Sequence, residues 1–165
     1  NIVEGGQTPV KALGVTDQHS QIQLYTEGPS DKVITFIGVE GFRNRVMIPG
    51  GYEDIPSLSF LSGHTFNELM LYEQTATEYA VNAAKKWSRS ITLSRVNANT
   101  IGQLLYFFEM ETAFAGELLH INTYDQPGVE EGKNATYALM GRKGYETKKE
   151  ELDNRKAKKE CYTLS

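Results

Sequence analysis

Residues 32 to 40 read KVITFIGVE, the strongest strand signal in the chain, rich in β-branched residues and apolar on both faces. Successive side chains of a strand point to opposite sides of its sheet, so a run that is apolar on both must be covered above and below. That is the pattern of a central parallel strand. Parallel neighbours need long crossover connections, usually helical, and helices then lie against the sheet. The chain is expected to be of the α/β class.

The flanking segments fit this expectation. PVKALGV (Pro9 to Val15) reads as a buried strand leading into a helix over TDQHSQIQLYTEG, with Thr16 as N-cap and Gly28 as terminator. A short apolar run, RVMIP, follows the central strand after a turn. Thr65, with Glu68 three residues later, forms a capping box before a long helix reaching about Trp87. SITLSRV (Ser90 to Val96) is a further strand. NTIGQLLYFFEMETAFAGELLH is then a helix capped by Thr100, apolar around most of its circumference through Leu104, Leu105, Phe108 and Phe114. Such a helix is expected to be buried against a sheet or a partner. Two helical stretches, NATYALMGR and YETKKEELDNRKAKKE, close the chain on either side of Gly144. Strands alternating with helices predict layers around a mostly parallel sheet, although three or four strands are few for one.

Composition narrows the class of function. With 165 residues, 39% of them apolar, the chain is long enough for one domain with a stable core. Its longest apolar run, about Leu104 to Phe108, falls far short of the roughly 20 residues a membrane span requires. The single cysteine, Cys161, excludes an internal disulfide, and the first residues lack a secretory pattern. A cytoplasmic protein is expected. Net charge is −4; residues 142 to 160 hold eight Lys or Arg against five Asp or Glu, leaving −7 elsewhere. That distribution does not suit a nucleic-acid binder, which needs a broad basic surface. The basic stretch reads as a solvated helical tail, about residues 143 to 165, with ion-pair spacings such as Glu151 to Arg155.

The residues that bear chemistry are few. One cysteine and three scattered histidines provide no close metal-ligand pairs, and GxxxxGK[ST], GxGxxG and GxSxG are all absent. His64 reads as a loop residue and His120 as a helix C-terminal cap. Residues 122 to 133, NTYDQPGVEEGK, begin a helix: Asp125 or Gln126 can cap it, Pro127 suits its first turn, and Gly128 permits close approach. Gln126 and Lys133 are seven residues apart, which places them on one helical face about 10 Å apart along the axis. Glu130 lies between them. Spacing alone favours the plainer of two readings, a helix cap with a Glu130–Lys133 surface pair. His19 falls three residues after Thr16, where the helix dipole favours a neutral ring able to accept or pass a proton. It also follows a strand, at the edge where open α/β sheets hold ligands.

Taken together, two segments resemble a known family. NTYDQPGVEEGK closely resembles the C-terminal signature of glucose-6-phosphate isomerases, and TPVKALGVTDQHSQIQLYTEGPSDKVITFI resembles their histidine-bearing segment in bacterial forms. LSGHTFNELMLYEQTATEYA and GQLLYFFEMETAFAGELLHIN are similar as well, so the resemblance spans nearly the whole chain.

The resemblance implies a sugar-isomerase domain, a three-layer α/β/α sandwich around a mostly parallel sheet. It implies interconversion of glucose 6-phosphate and fructose 6-phosphate, in glycolysis and gluconeogenesis, without metal or organic cofactor. His19 matches the family's ring-opening histidine, Lys133 the lysine that works near the ring oxygen, and Gln126 a substrate-contacting glutamine. A carboxylate then moves a proton between C2 and C1 through an enediolate. The family's glutamate base lies in an ESxGK-like segment that is absent, Glu4 stands in no such context, and the serine- and threonine-rich phosphate site is absent too. Residues 1–165 are therefore expected to be the C-terminal third of a longer enzyme, inactive alone and lacking the first strand and helix of its domain. The resemblance further implies a cytoplasmic homodimer that borrows the histidine across its interface, with Leu104 to Leu119 and the turn near His19 as places to look for contact. A non-catalytic phosphosugar-binding or interaction module of the same fold is the alternative.

Overall fold

The computed structural model describes residues 5–155. They fall into two units, one running through Glu109 and one beginning at Met110.

The first unit is built on β1 (Val33–Gly41) and β2 (Trp87–Arg95), which pair in parallel with Val33 opposite Trp87 and Gly41 opposite Arg95. The crossover between them carries α3 (Phe66–Ala83), as a parallel pair requires. Gly38, buried at the centre of β1, explains the close seat of α3 on one face: a side chain there would press on the Gln74 carboxamide. On the opposite face Arg89 donates to Thr35 Oγ1 over 2.8 Å, and its guanidinium lies 6.0 Å from the Phe107 ring of α4 (Ala98–Leu118). The arrangement is mixed α/β with a parallel pair, but β1 is not the doubly covered central strand that KVITFIGVE predicts: among the described residues β2 is its one strand neighbour, and Ile37, on the face away from α3, is 47% exposed.

Thr65 and Glu68 form the predicted capping box. The Thr65 hydroxyl accepts the Glu68 N–H over 3.1 Å, and Glu68 Oε2 accepts the Thr65 N–H over 2.7 Å. The helix ends earlier than predicted, however. Lys85 adopts a positive φ of 56°, and the Lys86 N–H reaches back to the Val81 carbonyl over 3.1 Å. This closes a Schellman turn without glycine, freeing Trp87 to open β2. Lys86 then donates to the Gly28 carbonyl over 2.6 Å, tying β2 to the end of α1 (Gln18–Glu27).

Several expectations are corrected. Pro9 to Val15 is no strand: it joins neither edge of the sheet, and Val10 is 76% exposed. A strand needs a neighbour for its backbone groups, and Pro9 lacks a donor. The N-cap of α1 is Asp17, not Thr16, and its carboxylate accepts the Leu13 N–H over 2.7 Å instead of a helical one. RVMIP makes only an isolated antiparallel bridge, Met47 to Thr65, beside the start of α3. A short α2 (Pro56–Ser59) precedes that helix. The cap of α4 is Asn97, whose Oδ1 accepts the Thr100 N–H over 3.0 Å while Thr100 Oγ1 accepts the Asn97 N–H over 3.2 Å.

In the second unit α4 ends in another Schellman turn, with His120 at φ 54° and the Ile121 N–H on the Gly116 carbonyl over 2.9 Å, so His120 is the C-terminal cap expected. After it come α5 (Pro127–Leu139) and α6 (Glu146–Asp153). Arg142 lies 4.4 Å from the Tyr137 ring and 5.5 Å from that of Tyr145, and Lys148 of α6 reaches Glu131 of α5 over 2.5 Å. Glu151 pairs with Lys148 over 2.8 Å, in place of the expected partner Arg155. Of the expected tail, residues 156–165 lie outside the described ones.

Chain length predicts a sizeable core, and the described residues do not form one. Val81 and Ala138 are their fully buried apolar side chains. Nor is α4 buried, since Phe114 is 63% and Leu118 81% exposed.

Candidate active site

The segment NTYDQPGVEEGK becomes a fastened turn and the first half of α5. Asn122 Oδ1 accepts the Tyr124 N–H over 3.1 Å, an Asx turn, and Asp125 Oδ1 accepts the Gln126 N–H over 2.8 Å. Gln126 is the N-cap residue but makes no side-chain capping bond, so its carboxamide remains exposed and available to a ligand. Pro127 starts the helix with the φ it prefers and without an N–H that would lack a partner.

Lys133 lies two turns along α5. Its ammonium donates to Glu130 Oε1 over 2.6 Å, with both side chains about half exposed. The hydrogen bond to Glu130 and that carboxylate's charge raise the lysine's pKa above its ordinary 10.5. Near neutral pH Lys133 is a cation, and the raised pKa makes it hold its proton more tightly than a free lysine.

The neighbouring Glu131 points to a different lysine. Lys148 bridges it and Glu151, and those two hydrogen bonds push the Lys148 pKa up to about 12. Each glutamate of the GVEEGK run thus has its own cation, and α6 holds α5 just beside Lys133. Glu130 was in view from i,i+3 spacing. Lys148 was not, being 17 residues from Glu131 on another helix, with no local period to betray the contact.

Gln126 and Lys133 share one element. His19 stands in the first unit, at the second position of α1, exposed. His64 lies 3.8 Å from Glu68, beside the α3 capping box. Among the described residues no cluster of His, Cys, Asp or Glu could hold a metal, and no helix is long and apolar enough to cross a membrane.

These features define a mixed α/β chain with a polar helix-start motif carrying a glutamine and a fixed ammonium. The phosphoglucose isomerase family model matches residues 61–157, more than half the chain, and the chain belongs to that family. It is 58% identical over 147 residues to a glucose-6-phosphate isomerase of Carboxydothermus hydrogenoformans, covering 89% of this chain and 32% of that protein. It is 50% identical to the glucose-6-phosphate isomerase of Rubrobacter xylanophilus, over 85% of this chain and 32% of that one. The crystal structure of a hypothetical protein from Thermus thermophilus superposes with a TM-score of 0.77 at 38% identity, over 82% of this chain and 32% of that one. The chain thus spans about a third of the length of the proteins it matches.

Proposed function

We propose that this chain is the C-terminal part of a glucose-6-phosphate isomerase and contributes the ring-opening half of its machinery. The observation that carries the reading is the geometry of α5: the Lys133 ammonium, paired with Glu130 over 2.6 Å, stands two helical turns from an exposed glutamine that heads the same helix without making a side-chain capping bond. Opening a pyranose removes a proton from the anomeric hydroxyl and delivers one to the ring oxygen. Lys133 donates a proton to the ring oxygen or stabilises the negative charge developing there, His19 takes the proton from the anomeric hydroxyl, and Gln126 holds the sugar by hydrogen bonds. Isomerisation through the enediolate then belongs to a carboxylate outside residues 1–165, as does the phosphate site. The whole enzyme is read as a cytoplasmic homodimer of glycolysis and gluconeogenesis in which His19 serves the neighbouring subunit's site.

The test uses the full-length polypeptide. His19→Ala and Lys133→Ala lower kcat/KM on ring-closed glucose 6-phosphate by about 10² to 10⁴, while an aldose phosphate too short to close the ring loses little. Equal losses on both substrates would remove the ring-opening role.

A further inference from the structure

Gly116 sits in the last turns of α4 and is buried. A β-carbon built there would collide with Cγ2 of Thr123 and stand 2.9 Å from its Oγ1 and 3.0 Å from its Cβ. The helical glycines Gly102, Gly128 and Gly132 would meet nothing within 4 Å. Glycine is unfavourable inside a helix, and at position 116 alone among these four does it make room for another residue.

The room is used by the turn that leads to Gln126. Gly116 serves this turn twice: its carbonyl accepts the Ile121 N–H over 2.9 Å, closing α4, and its bare Cα receives the Thr123 side chain two residues later. Asn122 and Asp125 fasten the remaining backbone up to Gln126. The path from the end of α4 to the start of α5 is therefore bolted at Gly116 and has little slack over the three residues from Thr123 to Gln126.

We infer that Gly116 is a positioning residue, a notch that seats Thr123 and thereby sets where Gln126 and the first turn of α5 present themselves. The inference rests on the reading of Gln126 as a substrate contact. A methyl group at 116 must move the Thr123 side chain by about 1.5 Å or more to restore ordinary van der Waals separation of about 3.5 Å. Even an ångström of that movement passed on to Gln126 costs up to about 10²-fold in rate.

The experiment is a double-mutant cycle in the full-length enzyme, joined to a crystal structure of the variant. Gly116→Ala lowers kcat/KM about 10- to 100-fold. Thr123→Ala, which removes the colliding groups, restores most of it in the double variant. In a Gln126→Ala background Gly116→Ala adds little further loss, a coupling that a merely structural role would not produce. Should Gly116→Ala fail to fold, Thr123→Ile overfills the same notch from the other side and carries the same expectation. Full activity in Gly116→Ala, or a loss that Thr123→Ala does not relieve and that adds fully to Gln126→Ala, overturns the inference. If Gln126→Ala is itself without effect, the substrate role of Gln126 falls, and the crystal structure alone decides the notch: a displaced first turn of α5 upholds it, an unmoved one ends it.

Discussion

Lys133 is exposed and salt-bridged, the two properties that most often mark a residue of little consequence. An exposed lysine–glutamate pair adds little to stability, because solvent screens it and two long side chains lose freedom to form it. What Glu130 changes is the pH range over which Lys133 stays charged. Because the hydrogen bond raises the lysine's pKa above 10.5, whatever the pair contributes to folding is complete below that value and lost as pH rises through the higher folded one. The alkaline limb of activity should move with it. Glu130→Gln removes both the carboxylate charge and its strong hydrogen bond, so the alkaline limb of the kcat/KM profile on ring-closed substrate shifts to lower pH. An unmoved limb would show that Lys133 does not set it. At this scale the sequence was informative where partners share a helix, as with Glu130 and Lys133, whose spacing follows from 3.6 residues per turn. It was silent on Lys148 and on the fit of Thr123 against Gly116, which depend on how separate segments meet.

Elements were legible where a local rule decides them. KVITFIGVE is β1 within a residue, and the Thr65 capping box forms with both reciprocal bonds. Ends were less so. The His120 end was legible, but Lys85 takes a left-handed conformation that sequence ordinarily reserves for glycine, and the strand expected at Pro9 to Val15 finds no edge. The capping box also carries a prediction. Thr65 is buried and satisfies the Glu68 N–H, so Thr65→Ala should cost the full-length protein about 1 kcal/mol, read from the denaturant midpoint. Its hydroxyl also donates to the Glu68 carboxylate over 2.9 Å. Hydrogen bonds from the Thr65 backbone and side chain hold the Glu68 pKa below its ordinary 4.5, so that carboxylate's contribution is present above 4.5 and is lost as pH falls through the lowered value. The deficit of Thr65→Ala should therefore shrink in acid. A deficit independent of pH would mean that the Glu68 carboxylate takes no part in the cap.

At the scale of the chain, composition was the least reliable guide. A 39% apolar content suggests a core, yet composition counts residues and not the surfaces that cover them. Both outer edges of the β1–β2 pair lack strand partners among the described residues, and large side chains such as Phe60, Phe114 and Leu118 stand more than 60% exposed. A two-stranded sheet is marginal by itself, and open edges with apolar patches recruit other chains. If the remaining two thirds of an isomerase supply that cover, residues 1–165 produced alone should bind a hydrophobic dye strongly, self-associate with rising concentration, and melt without a sharp transition. Dye fluorescence, sedimentation velocity and calorimetry read these three properties. Mixing with the complementary upstream polypeptide should quench the dye and restore a cooperative melt, since the same apolar side chains then become interior. A sharply melting monomer without dye binding would instead mean that the chain covers these surfaces unaided, and the reading of it as one part of a larger folded enzyme would fail.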